Sequence, residues 1–170
     1  LPPYPQIPLA TLRAQSALFG PAPAGFRAVN LLLHGLVALA VFFLVRRLLL
    51  IAHQRHGEKT GGETAARTTV YTGTARVNAG AGAAALLFAV APLHADAVAA
   101  VLGRDELLAA LCSLLAWSAH LQGGVRWQAG AAAAVALAAL CRPEAALLPL
   151  ARLGWEALRE GGVRPAIARS

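Results

Sequence analysis

Acidic side chains are scarce in this 170-residue chain: 8 Asp and Glu stand against 15 Lys and Arg, and all charged residues together make up only 14%. Soluble domains carry about 25% charged residues, so this is not the composition of one. Hydrophobic residues reach 58% with mean hydropathy +0.59, which excludes a disordered basic arm, because disorder requires low hydrophobicity. Methionine is absent, and the opening Leu1-Pro2-Pro3-Tyr4 lacks the basic and apolar regions of a signal peptide, so the sequence reads as an excerpt. Cys112 and Cys141 both lie inside apolar runs, whereas a disulfide scaffold needs more cysteines in polar loops. The signatures of soluble catalysts are missing as well: there is no GxSxG, GxxxxGK[ST], HExxH, CxxC or GxGxxG.

What the chain has instead is long uncharged windows, and a membrane helix needs about 20 predominantly apolar residues. The windows predict transmembrane helices at 27–51, 79–91, 105–123 and 127–141, with 144–158 either a fifth span or the second half of a kinked one. The first contains AVNLLLHGLVALAVFFLV and continues past Arg46-Arg47 into LLLIA. The third opens with Asp105 as N-cap and Glu106 in the first turn, where carboxylates favour the helix dipole. Between these spans, residues 1–26 hold prolines at 2, 3, 5, 8, 21 and 23 around a short interfacial helix with Leu9, Leu12, Ala17 and Phe19 on its apolar face. Residues 52–78, rich in Gly, Thr and charge, read as a flexible loop, 92–104 as an interfacial helix opened by Pro92 and closed by Gly103, and 159–170 as a tail. The fold class is an all-α polytopic membrane protein.

Basic residues in short loops stay on the cytoplasmic side. Alternating spans would give one side Arg46, Arg47, Arg55, Lys59, Arg67, Arg76, Arg126, Arg152, Arg159, Arg164 and Arg169, and the other only Arg13, Arg27, Arg104 and Arg142. This bias places the 52–78 loop and the tail in the cytoplasm and the 1–26 and 92–104 segments on the lumenal face. The formal charge of +7 does not require nucleic acid: the arginines are dispersed between spans, without a basic stripe carrying base-stacking aromatics. The lipid bilayer, anionic lipid included, is the partner this charge implies.

Polar residues gather at the lumenal ends of the spans. Arg27, Asn30 and His34 share one stripe of the first helix, positioned to hydrogen-bond a neighbouring helix or to line a cavity. His94 and Asp96 would sit near one end of the 92–104 helix, and Arg104, Asp105 and Glu106 near the other. Capping with interfacial ion pairs explains this cluster, and so does binding of a phosphate with support of a proton transfer. No metal is expected, because His94 and Asp96 at i, i+2 point to different sides of a helix. Arg142 precedes a helix start at Pro143-Glu144 and brings a guanidinium towards the same mouth.

These residues also carry a resemblance. LFAVAPLHADAVAAVLGRDELLAAL, from Leu87 to Leu111, resembles the segment "LFAxHPxHxEAVAxVxGRAELLAxL" of the transmembrane and tetratricopeptide-repeat (TMTC) protein O-mannosyltransferases and their bacterial relatives. GFRAVNLLLH at 25–34 is similar to "GFHxVNxLLH", LCRPEAALLPL at 140–150 to "LxKExxxxxLPL", and Tyr4 to Gly20 keeps the outline of "YRPLTxLTFRLNxxLFG". Departures fall at Ala91, Arg27, Pro5-Gln6 and Arg142-Pro143; His94, Asp96 in place of Glu, Gly103, Arg104, Glu106, Asn30 and His34 remain. The resemblance implies a fragment of a GT-C glycosyltransferase bundle in the endoplasmic-reticulum membrane. It further implies transfer of mannose from the lipid-linked donor dolichyl-phosphate mannose to Ser or Thr of client proteins, with tetratricopeptide repeats elsewhere. Arg104 and Arg142 would meet the donor phosphate, oriented by Asp96, Asp105 or Glu106, while the catalytic acidic pair would lie upstream of Leu1. The alternatives are a non-catalytic scaffold of the same fold and a transporter.

Overall fold

The computed structural model describes residues 6–20, 22–57, 66–91, 98–100, 103–151 and 154. They form helices α1 (Gln6–Phe19), α2 (Pro23–Gly57), α3 (Ala66–Val90), α4 (Arg104–His120) and α5 (Val125–Cys141), followed by a 3-10 turn at Pro143–Leu147. No strand occurs among the described residues.

Glycine and proline set the boundaries. Gly20, at φ +76, ends α1 in the left-handed conformation that glycine adopts without cost, and its N–H reaches the Ser16 carbonyl at 3.0 Å. Pro23 then opens α2, where a missing N–H does no harm. Gly103, not Asp105, occupies the N-cap of α4, so Asp105 and Glu106 both lie inside the first turn and act through the helix dipole rather than as a cap. Gly123 and Gly124, at φ +70 and +81, make the tight reversal into α5.

The helices stand side by side in the order α3, α2, α4, α5, with α1 lying across α2, α4 and α5. Asn30 meets Arg104 and Arg47 meets Leu121, and both intervals are 17 residues. At 1.5 Å per residue, α2 and α4 therefore run parallel and in register for about 25 Å. The chain returns between them through α3, which is antiparallel to α2: His34 meets Ala89 at one end and Arg46 meets Asn78 at the other.

Small residues dominate the contacts between the helices, with Leu12, Phe26 and Leu107 also buried. The contact faces are built from Ala81, Ala109, Ala116, Ala131 and Ala138, with Val37 and Val77, while Leu31, Leu32, Leu86, Leu87 and Leu140 are at least 60% exposed. Small residues let backbones approach where no hydrophobic drive exists between helices, and large apolar side chains turned outward suit lipid. The 31-residue stretch Pro23–His53 is long and apolar enough to cross a membrane, and Val125–Cys141 is a shorter apolar helix of 17 residues.

Several boundaries differ from those expected of the sequence. The loop expected at 52–78 is largely helical: α2 continues to Gly57 and α3 begins at Ala66. Tertiary packing stabilises what composition did not favour. Gly73, Val77 and Ala81 are buried at intervals of four, and a Cβ on Gly73 would stand 2.7 Å from the tip of the His53 ring, so a larger residue there would turn that side chain aside. On α1 the stripe buried against the bundle is Pro8, Leu12 and Gln15, while Phe19, one of the apolar residues expected of an interfacial helix, is 72% exposed. The segment expected to be a span at 144–158 starts as a 3-10 turn and is helical at 148–151, and residues 152–153 and 155–170 lie outside the described residues.

Candidate functional site

The end of the bundle where α2 begins collects its polar side chains. Arg104, at the first position of α4, points inward and is only 2% exposed. Its Nε donates to Asn30 Oδ1 at 3.2 Å, Nη2 donates to Gln15 Oε1, and the guanidinium carbon lies 5.9 Å from the centre of the Phe26 ring. Asn30 is fully buried and uses its other half as well, Nδ2 donating to the Ala100 carbonyl at 2.8 Å. One guanidinium and one amide thus tie α1, α2, α4 and the 98–100 segment together. A planar fork suits this, because its donors are fixed in direction.

His34 lies one turn deeper on α2. Its ring stacks on Phe88 at 5.7 Å between centroids, and Nε2 is 3.1 Å from the Ala89 carbonyl. A carbonyl only accepts, so Nε2 carries the proton. Arg27, expected on the stripe with Asn30 and His34, is exposed; the buried stripe begins one residue earlier and runs Phe26, Asn30, His34, Val37.

Arg142 forms a second, outer cluster. Its guanidinium donates to Glu106 Oε1 across the α4–α5 pair and lies 3.5 Å from Glu144 Oε2. The side chains are 36%, 51% and 68% exposed for Arg142, Glu106 and Glu144, so these pairs contribute little to stability. The hydrogen bond to Glu106, with the fields of Glu106, Asp105 and Glu144, raises the Arg142 pKa above its ordinary value. Unlike Arg104, this guanidinium stands where a molecule from outside can reach it.

Of the residues singled out from sequence, the structure joins Asn30 with Arg104 and Glu106 with Arg142, sets His34 against α3, and leaves Asp105 half-buried in the first turn of α4. His94 and Asp96 lie outside the described residues. Among the described residues no group of three or more His, Cys, Asp or Glu side chains is placed to hold a metal. Gln15 and Phe26 were missed. The Pro8, Leu12, Gln15 spacing was the readable signal for Gln15, whose amide lies beside Gly25 at the start of α2. At the opposite end Arg46 Nε donates to Asn78 Oδ1 at 2.8 Å, Arg47 Nη2 to the Leu121 carbonyl at 3.3 Å, and His120 pairs with Gln128.

No family model and no solved structure matches the chain. Curated relatives do. Protein O-mannosyl-transferase Tmtc3 of Drosophila melanogaster is 34% identical over 117 residues, which is 69% of this chain and 12% of that protein. Protein O-mannosyl-transferase TMTC4 of Mus musculus is 35% identical over 100 residues, 59% of this chain and 12% of that one. Protein O-mannosyl-transferase Tmtc2 of Drosophila melanogaster is 36% identical over 109 residues, 64% of this chain and 9% of that one. The chain thus spans about a tenth of the length of the curated relatives it matches. Three such matches, together with an all-helical structure that carries one membrane-length helix, place the chain in the TMTC-like family.

Proposed function

We propose that this chain is part of the transmembrane bundle of an endoplasmic-reticulum glycosyltransferase of GT-C type, which moves mannose from dolichyl-phosphate mannose to Ser or Thr hydroxyls of client proteins. The observation that carries the reading is the identity of 34–36% to three proteins named as O-mannosyl-transferases. The structure supports it with an apolar exterior and with a buried polar cluster at the end where α2 begins. In this reading α2 to α5 each cross the bilayer, and α1 with the Arg142 cluster faces the lumen.

The two arginines divide the work. Arg104 is a positioning residue: sealed by Asn30 and Gln15, it holds α1 against the start of α2 and α4. Arg142 is the cation that a lipid phosphate meets, with Glu106 and Glu144 orienting its fork until the donor's oxygens replace one of them. His34 and Asn30 shape the inner wall, Asp105 and Glu106 supply negative charge near the acceptor, and His94 and Asp96 belong to the same segment of sequence.

Donor titration in the whole protein tests this. Arg142→Ala should weaken use of dolichyl-phosphate mannose by about 1.5–3 kcal/mol, the range for hydrogen bonds to charged groups, and Arg142→Lys by less. Thermal stability should barely change, because the Arg142 pairs are exposed. An unchanged donor affinity in Arg142→Ala removes the phosphate role, and absence of any mannose transfer by the whole protein favours a non-catalytic scaffold.

A further inference from the structure

The inner cluster at Arg104 and the outer cluster at Arg142 share one short piece of helix. Arg104 and Glu106 are the first and third residues of α4, and two residues turn a helix by about 200°, so one side chain points inward while the other reaches across to α5. That turn is weakly held by its own backbone. Gly103 stands at the N-cap, no side chain caps the helix, and the Leu107 nitrogen lies 3.4 Å from the Gly103 carbonyl oxygen, beyond the usual range of about 2.7–3.2 Å. The Arg104 guanidinium supplies a hold from the side instead, donating to Asn30 on α2 and to Gln15 on α1.

Arg142 depends on the same turn. Its backbone is extended, at φ -144 and ψ 122, between the end of α5 and the 3-10 turn, so no helix sets the direction of its side chain. Glu144 is two residues away on the same segment, whereas Glu106 is the described partner that reaches Arg142 from another helix. A shift at the start of α4 is therefore passed to this guanidinium through Glu106. α1 supplies none of the hydrogen bonds or ion pairs described for Arg142, and Gln15, only 6% exposed, is its hydrogen-bonded contact with Arg104. We propose that Gln15 is a positioning residue for the donor phosphate: by holding Arg104 it fixes the first turn of α4, and through Glu106 that turn aims the Arg142 guanidinium. A planar fork grips phosphate with paired N–H groups, so a displaced fork keeps its charge but loses the paired bonds. α1 thus acts on the site without touching the donor.

This inference rests on the reading of Arg142 as the cation that meets the donor phosphate, and the test separates the two. KM and kcat with dolichyl-phosphate mannose and the melting temperature are measured on the whole protein. Gln15→Leu keeps the bulk and removes the acceptor, and it should raise the donor KM by about 2- to 30-fold, the span of couplings carried through intermediary residues, with a smaller change in kcat. Gln15→Glu restores an acceptor at the same reach and should return KM towards wild type. Gln15→Asn keeps the amide one methylene short, should fall between the two, and carries the test if Gln15→Leu does not fold. In a Glu106→Ala background Gln15→Leu should raise KM no further, since both changes release the same hold on Arg142. The Kd of dolichyl phosphate, measured on the same variants, should follow the same order without turnover. A role confined to stability predicts a lower melting temperature with an unchanged donor KM in the molecules that stay folded. That result, or an undiminished effect of Gln15→Leu in the Glu106→Ala background, overturns the positioning role while Arg142→Ala still raises KM. If Arg142→Ala leaves both KM and Kd unchanged, the phosphate reading falls and this inference with it.

Discussion

Arg104→Ala removes the charge on which three elements converge. Asn30 Oδ1 and Gln15 Oε1 would lose this donor, in side chains that are 0% and 6% exposed. A buried acceptor stripped of its partner costs about 1–3 kcal/mol, so two cost about 2–6 kcal/mol. Hydrogen bonds between membrane helices average only about 0.6 kcal/mol, because the unfolded chain in lipid finds other partners. The charge on Arg104 and its burial put this site above that average, and about 3 kcal/mol is the expected loss. Arg104→Lys keeps the charge but reaches one acceptor rather than two, so it should lose about half as much. Asn30→Ala breaks the same network from the other side, and the double variant Asn30→Ala with Arg104→Ala should cost less than the sum of the singles by at least about 0.5 kcal/mol. Reversible unfolding in mixed micelles reads all four. A stability within about 0.5 kcal/mol of wild type for Arg104→Ala, or strict additivity of the pair, refutes the argument that this cluster fastens α1 to the bundle.

The backbone and the charge distribution supply two more tests. Gly124, at φ +81 and ψ 152, occupies a conformation essentially restricted to glycine, so Gly124→Ala should lower stability by about 1–3 kcal/mol, whereas Gly123→Asn at φ +70 should be milder because Asn tolerates the left-handed region; thermal melts of the two variants check the difference. In the proposed orientation a glycosylation sequon introduced within 57–66 should stay unmodified in microsomes, because the basic residues would hold that segment on the cytoplasmic side, and a glycan there would reverse the orientation.

The site was partly legible. Asn30 and His34 stand out because polar side chains are costly in an apolar helix and therefore face a neighbour, and both are buried against one. Glu106 and Arg142 were assigned to one end by the alternation of helices, and they meet there. Gln15 went unseen because a glutamine in a Pro-rich flank looks like solvent-facing polarity until a guanidinium is placed against it. The inward turn of Arg104 was equally hidden, since the residue that opens a helix at a lipid surface has both lipid headgroups and protein within reach, and only the position of α1 decides between them.

The sequence by itself determined the helical class, the apolar character of α2 and the sorting of charge between loops, because these depend on composition and on spacing along the chain. It also carried the relationship to the O-mannosyl-transferases, which resides in residue identity. The tertiary structure decided which face of each helix is inside. In helices that are apolar all round there is no polar face to mark the exterior, so burial is set by where alanine and glycine allow close approach. The same contacts extended α3 back to Ala66 through a segment whose composition favours a loop, because the burial of Gly73 and Val77 against α2 outweighs weak local propensity.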